Sequence, residues 1–328
     1  MGTKENALIL GAAGQIGTDL VAHLRKSLGS DHVLATDIKE QQGEVKSGGR
    51  FSTLDVLDFN AVHQTIKDNN ITQVYLLAAL LSATAEQKVQ SAWRLNMNGL
   101  LGLLEIAREN KGLKIFWPSS IAVFGPTTPK ENTPQITAME PNTVYGISKQ
   151  AGERWCEYYH QKFGVDVRSL RYPGLISYKA HPGGGTTDYA VEIFFEALKN
   201  KKYSCYLKED TRMPMMYMPD AVKATWMIMN APASDIKIRS SYNIHGMSFT
   251  PEEISNEIKK SIPSFEISYA PDQRQAIADS WPQSIDDSFA QKDWNWKAEY
   301  DLSKMCSDML SHLSVQLNPK SEAGQMIG

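Results

Sequence analysis

The stretch Ala7-Leu8-Ile9-Leu10-Gly11-Ala12-Ala13-Gly14-Gln15-Ile16-Gly17 decides the fold. Four apolar residues closed by a glycine read as a buried strand. Leu20, Leu24 and Leu28 then recur at four-residue spacing, as one face of a helix requires. Between them G-x-x-G-x-x-G sits where a dinucleotide site needs it. Gly11 permits the tight turn, Gly14 lets the backbone approach a pyrophosphate, and Gly17 lets helix and strand pack closely. The helix N-terminus offers its free N–H groups to the anion, Gln15 and Ile16 lying in that first turn. A structural turn also uses glycines, so the motif needs support from elsewhere in the chain.

Outward from this stretch, short apolar runs alternate with amphipathic segments: Val33 to Thr36, Phe51 to Leu54, Val74 to Ala78, Lys114 to Trp117 and Val165 to Leu170. Such alternation predicts an α/β chain with a doubly wound parallel sheet of the Rossmann type. Residues 1–170 are expected to form the dinucleotide-binding domain. Residues 171–328 are expected to form mainly a smaller C-terminal substrate lobe, with some segments returning to the sheet. Glu86 to Lys111 reads as one long helix and Gly43 to Arg50 as a surface loop. In the lobe, Gly183-Gly184-Gly185 reads as a flexible loop, Tyr189 to Leu198 as a helix and Met213 to Met218 as an irregular strand. Asp220 is expected to cap a helix beginning at Ala221, and Asn318 to Gly328 to fray.

Composition narrows the function. The 328 residues are 42% hydrophobic with a net charge of -3, and Lys and Arg form no stripe that would serve nucleic acid. A small-molecule partner fits better. No segment approaches the roughly eighteen uninterrupted apolar residues of a membrane helix, and no secretory signal is evident. Cys156, Cys205 and Cys306 are spaced for neither zinc nor a disulfide framework. They read as reduced packing cysteines, so the expected compartment is the cytoplasm, or an organelle matrix if a targeting segment has been removed. No metal is expected.

Asp37, twenty residues beyond Gly17 at the end of the second strand, supplies the acidic side chain that would accept from the adenosine ribose hydroxyls. It would repel a 2′-phosphate, which favours NAD over NADP; Lys39 reads as a solvated lysine. Asp55, followed by Val56 after the third strand, reads either as a ligand of the adenine amino group or as a cap in the next loop.

Tyr145-Gly146-Ile147-Ser148-Lys149 puts Tyr145 and Lys149 on one helical face. A tyrosine that ionises near 10 is a poor base. Bringing it near 7 takes about 4 kcal/mol, from a neighbouring ammonium and an oxidised nicotinamide. Pro118-Ser119-Ser120 ends the fifth strand on the sheet edge where the glycine loop also lies. A serine there can hold a substrate oxygen, and one of the two is expected only to bond within the strand-end turn.

These residues, with Arg171-Tyr172-Pro173-Gly174, resemble the extended short-chain dehydrogenase/reductase family. Longer stretches, LLAALLSATAEQ (76–87), IFWPSSIAVFGPTTPKENTPQ (115–135), VYGISKQAGERWCEYY (144–159), RYPGLIS (171–177), PGGGTTDYAV (182–191) and MPMMYMPDA (213–221), are similar to its threonine-oxidising branch. The resemblance implies NAD-dependent oxidation of L-threonine at the 3-hydroxyl to 2-amino-3-oxobutyrate. Tyr145 would be the base, Lys149 its activator and Ser120 the third catalytic group. Ser82, Ser119 and Thr186 would contact the substrate. Leu77, Ala78 and Ala79 would flank the cofactor, Tyr172 and Pro173 would lie against the nicotinamide, and Asn96 would support the lysine through water or satisfy a helix bend. A homodimer through the Tyr145 helix is also implied.

Three rivals are weighed against this. A nucleotide-sugar epimerase or dehydratase would need basic groups for a diphosphate, for which Lys199 to Lys202, Lys208 and Arg212 are candidates. A non-catalytic NAD sensor would not need the Ser, Tyr and Lys set. A zinc-dependent dehydrogenase would need Cys and His ligands that the sequence does not offer.

Overall fold

The computed structural model describes residues 5–41, 43–179 and 185–317, with the backbone alone at residue 83. Twelve strands are present among them. β1 (Ala7–Leu10), β2 (Val33–Asp37), β3 (Phe51–Thr53), β4 (Gln73–Leu76), β5 (Lys114–Ser120), β6 (Asp166–Tyr172) and β10 (Tyr242–Asn243) form one sheet in the order β10-β6-β5-β4-β1-β2-β3. Every pairing in it is parallel. This is the doubly wound topology expected, and the order in which strands are added reverses between β1 and β4, where such sheets bind ligands.

β7 (Gly174–Ile176), β9 (Met213–Tyr217) and β11 (Met247–Phe249) make a second sheet, and β8 (Lys202–Cys205) pairs with β12 (Glu266–Tyr269). Helices cover both faces of the main sheet. Leu20 and Leu24 of the Gln15–Leu28 helix pack with Ala221, Ala224 and Ile228 of the Met218–Asn230 helix on one face. On the other, Val62, Leu100, Leu103 and Cys156 pack over Val74, Ile115 and Val167. A third cluster, around Phe194, Met213, Phe249 and Met309, fills the lobe.

Several local expectations are corrected. Glu86 to Lys111 is not one helix but the end of Ser82–Gln87, then Val89–Trp93, a π turn over Arg94–Asn98 and Gly99–Glu109. Lys88 leaves helical geometry at φ -132, ψ 54. In the π turn, Asn96 turns its side chain onto Leu80, accepting from its N–H at 2.9 Å and donating to its carbonyl at 3.0 Å. β4 ends at Leu76, because the N–H groups of Leu77 and Ala78 both bend over to the Leu10 carbonyl. β5 instead runs three residues further than its apolar core, pairing Ser119 with Arg171 and Ser120 with Tyr172.

Asp220 caps nothing. Pro219 starts the helix at Met218, which leaves Asp220 buried in the first turn, accepting from the backbone of Glu299 and Tyr300. The Gly43 to Arg50 loop contains a short helix, Glu44–Ser47, held by the guanidinium of Arg25 on the carbonyls of Glu44, Val45 and Arg50. Of the expected glycine loop only Gly185 falls within the described residues. Gly183, Gly184 and the terminus from Asn318 to Gly328 lie outside them.

Candidate active site

The glycine loop is shaped by what surrounds it. Gly11 sits at φ +91, and a Cβ there would lie 2.6 Å from the Ala78 nitrogen. A Cβ on Gly17 would come within 2.6 Å of the carbonyl oxygens of Gly11 and Ala12. Gly14 differs: its nearest neighbour would be 3.7 Å away, so the missing side chain leaves open space on the cleft side. Gly14 also begins the Gln15–Leu28 helix with no side-chain cap and no acidic residue in the first turn, so the helix N–H groups remain available to an anion. The Asp37 carboxylate accepts from the Ala13 N–H at 3.1 Å, fixing the loop against the end of β2.

From this loop a cleft of about 600 Å³ runs across the carboxyl edge of the sheet into the lobe. Gly11, Gly14, Gln15, Ile16 and Gly17 form one end, with Leu77 and Ala79 beside them. Ser119, Ser120, Tyr145, Lys149, Tyr172 and Pro173 form the middle, and Ser82 and Thr186 lie in the same wall. Asp37, Asp55, Val56, Ala78 and Asn96 are not among the lining residues. Asp55 accepts from the Leu57 N–H at 2.9 Å, which is the capping alternative, and Val56 packs where a Cβ on Gly99 would reach.

Thr143 caps the Val144–Phe163 helix by accepting from the Gly146 N–H at 3.0 Å, and this sets the azimuth of Tyr145 and Lys149. Lys149 is buried. Its Nζ donates to the Pro118 carbonyl at 2.6 Å and lies 4.4 Å from the centre of the Trp117 ring and 5.5 Å from that of Tyr145. Ser120 accepts from the Ala122 N–H at 3.2 Å and hydrogen-bonds the Tyr145 hydroxyl.

Burial pushes Tyr145 up to about 12, the Ser120 bond opposing it, and pushes Lys149 down to about 7, with Cys156 and Glu153 opposing. The expected depression of the tyrosine is therefore absent in the protein alone. Loss of hydration outweighs the hydrogen bond from Ser120, and the Lys149 ammonium is held on the Pro118 carbonyl.

Below these groups lies a buried ion pair. Arg171 grips Glu153 through Nε to Oε1 at 2.9 Å and Nη2 to Oε2 at 2.7 Å, and also donates to the Gln135 carbonyl and to Asn243. Ser119 donates to the same Glu153 Oε1 at 2.6 Å. Of the two serines, Ser120 touches the tyrosine and Ser119 is tied into the fold.

The model of the NAD dependent epimerase/dehydratase family matches residues 7–244, the glycine loop and the tyrosine helix included. The chain belongs to that family. Among relatives, the mitochondrial L-threonine 3-dehydrogenase of Bos taurus is 46% identical over 94% of this chain and 82% of its own. The holo form of a GalE-like L-threonine dehydrogenase from Cupriavidus necator is 54% identical, with a TM-score of 0.92 over 94% of this chain and 99% of the other. A monomeric L-threonine 3-dehydrogenase from a metagenome, in its apo form, is 46% identical, with a TM-score of 0.90 over 95% and 99%.

The cradle left by Gly14, the bare helix terminus and Asp37 fit the dinucleotide that this epimerase/dehydratase family uses. Sequence reading missed several parts of the wall. Trp281 and Lys179 arrive from distant segments, and Lys179 is paired with Asp19 at 2.8 Å. Leu81 and Thr84 flank Ser82, and Thr187 and Asp188 follow Thr186. Proximity to a named residue would have found the last four, but no local signal marks the first two. Among the described residues, no group of three or more His, Cys, Asp or Glu side chains is arranged to hold a metal ion. No described helix is long and apolar enough to cross a membrane, and the three cysteines are buried and unpaired.

Proposed function

We propose that this chain oxidises L-threonine at its 3-hydroxyl to 2-amino-3-oxobutyrate with NAD. The observation that carries the reading is the meeting of Ser120, Tyr145 and Lys149 in one wall of the cleft that begins at the glycine loop. Its likeness to proteins named for this activity supports the substrate. The basic residues that a sugar diphosphate would call for, Lys199 to Lys202, Lys208 and Arg212, are absent from the lining, and Arg212 bonds Glu253 and the Ser248 carbonyl instead.

In this reading the glycine loop, Gln15 and Ile16 receive the pyrophosphate and Asp37 the adenosine ribose, while Asp55, through its bond to the Leu57 N–H, shapes the loop with Val56 on the adenine side. Leu77, Ala78 and Ala79 back the cofactor, Asn96 holds Leu80 in register behind it, and Tyr172 and Pro173 bound the nicotinamide end. When bound, the oxidised nicotinamide accepts the two electrons and the hydrogen of the broken carbon–hydrogen bond. Tyr145 takes the hydroxyl proton at its Oη, Lys149 stabilises the resulting charge, and Ser120 holds the same oxygen in place. Ser82, Ser119 and Thr186 contact the rest of the substrate.

Residues 1–170 act mainly on the cofactor and residues 171–328 mainly on the substrate. Ile147, Trp155 and Tyr158 are exposed on one stripe of the tyrosine helix, beside exposed Val89 and Trp93, and support a homodimer through that face. Three buried free thiols favour a reducing compartment, the cytoplasm or an organelle matrix.

The test is absorbance at the reduced-nicotinamide band on mixing purified protein with NAD and L-threonine, alongside NADP and a UDP-sugar. A rise confined to NAD with threonine is expected. Conversion of the sugar nucleotide without such a rise would move the chain to epimerase chemistry.

A further inference from the structure

We infer that Glu153 makes Ser119 an acceptor-only contact in the cleft, so that Ser119 recognises the substrate's ammonium group and not its carboxylate. The inference deepens the threonine reading and rests on it. A serine hydroxyl has one proton and two lone pairs. The Ser119 proton is committed to Glu153 Oε1 at 2.6 Å. Glu153 is fully buried, and its two carboxylate oxygens accept from Arg171 Nε and Nη2, so the oxygen facing Ser119 serves as an acceptor.

Ser119 is 2% exposed and lines the cleft, so a ligand group reaching it meets oxygen lone pairs and no hydrogen. Only a donor can bond there. Of the polar groups on a 3-hydroxy amino acid, the 3-hydroxyl belongs with Tyr145 and Ser120, and the carboxylate only accepts. The ammonium remains. Glu153 is thus a positioning residue: it acts through Ser119, and its second carboxylate oxygen ties the arrangement to Arg171, one residue before Tyr172.

The test is calorimetric titration of the protein loaded with NADH, which cannot accept hydride from an alcohol, so binding is read without turnover. The probes are L-threonine, 1-aminopropan-2-ol, which lacks the carboxylate, and 3-hydroxybutyrate, which lacks the ammonium. Ser119→Ala should weaken the first two about tenfold, in the range of a hydrogen bond to a charged group, and leave 3-hydroxybutyrate within about twofold. Glu153→Asp keeps the charge for Arg171 but shortens the reach to Ser119. It should weaken 1-aminopropan-2-ol and tighten 3-hydroxybutyrate, a split that general loosening of the site would not produce.

Equal weakening of all three probes by Ser119→Ala, weakening of 3-hydroxybutyrate alone, or no change in any would overturn the assignment. Failure of the parent protein to reduce NAD with threonine is a separate result. It would remove the substrate reading, whereas a parent that turns over threonine with the wrong probe pattern removes only the role given to Ser119.

Discussion

Replacing Lys149 by methionine should change the shape of the pH–rate profile as well as its height. With Tyr145 near 12 and Lys149 near 7, the pair holds two protons in acid and one across neutral and mildly basic pH. Oxidation needs the one-proton form in which the lysine carries the proton and the tyrosine has lost it. That arrangement has the same proton count as neutral tyrosine beside neutral lysine, and the roughly five pH units between the two groups place it about 7 kcal/mol higher. Attraction across roughly 5 Å at an effective dielectric of 20 returns about 3 kcal/mol, leaving roughly 4 kcal/mol for the positive charge of the bound oxidised cofactor. In the parent, kcat/KM for threonine should therefore climb tenfold per pH unit below about 7 and then level off. In Lys149→Met the tyrosine must ionise alone from about 12, so on the same arithmetic activity at pH 8 should fall about ten- to thirtyfold. It should also keep rising above pH 7, where the parent is already level. Initial rates of NADH formation from pH 5.5 to 10 in both proteins are the assay. A variant that levels off near 7 like its parent would refute the coupled pair and return the proton to some other group.

Four further outcomes follow from packing. Gly17→Ala pushes a methyl against two backbone carbonyls and should cost about 1–3 kcal/mol of stability. Gly14→Ala should leave the melting temperature of the free protein unchanged while raising the NAD Kd at least about tenfold; melts with and without NAD separate the two. Arg171→Met strands the Glu153 charge and should destabilise the fold by about 3–5 kcal/mol, read as a lower urea midpoint. Paired Trp155→Glu and Tyr158→Glu changes should shift the mass measured by light scattering from two chains to one with NAD affinity unaltered; a parent that already runs as a single chain would dispose of the dimer.

The glycine loop was legible because its constraints are local. The strand, the turn and the helix are consecutive, and Gly11 and Gly17 are small because backbone on or beside that turn crowds them. The Tyr145–Lys149 pair was legible for the same reason, since helical spacing alone puts both on one face. Asp220 misled because a carboxylate before an apolar helical run looks like a cap, and its real partners, Glu299 and Tyr300, are some eighty residues away. The long helix misled because apolar periodicity continues across Lys88 and the π turn, and nothing local shows that Asn96 is needed by Leu80. Ser119 and Ser120 show how far this limit reaches into function. Neighbours of one residue type on one strand end carry no sequence signal that tells them apart. They differ because the partner of one is the Tyr145 hydroxyl and that of the other is a carboxylate held by Arg171. Chemical role here is set by where each proton is already committed, and that is decided by residues 25 to 34 positions along the chain. A motif can therefore name the catalytic edge of this sheet, while the polarity of each contact on that edge follows only once the buried partners are known.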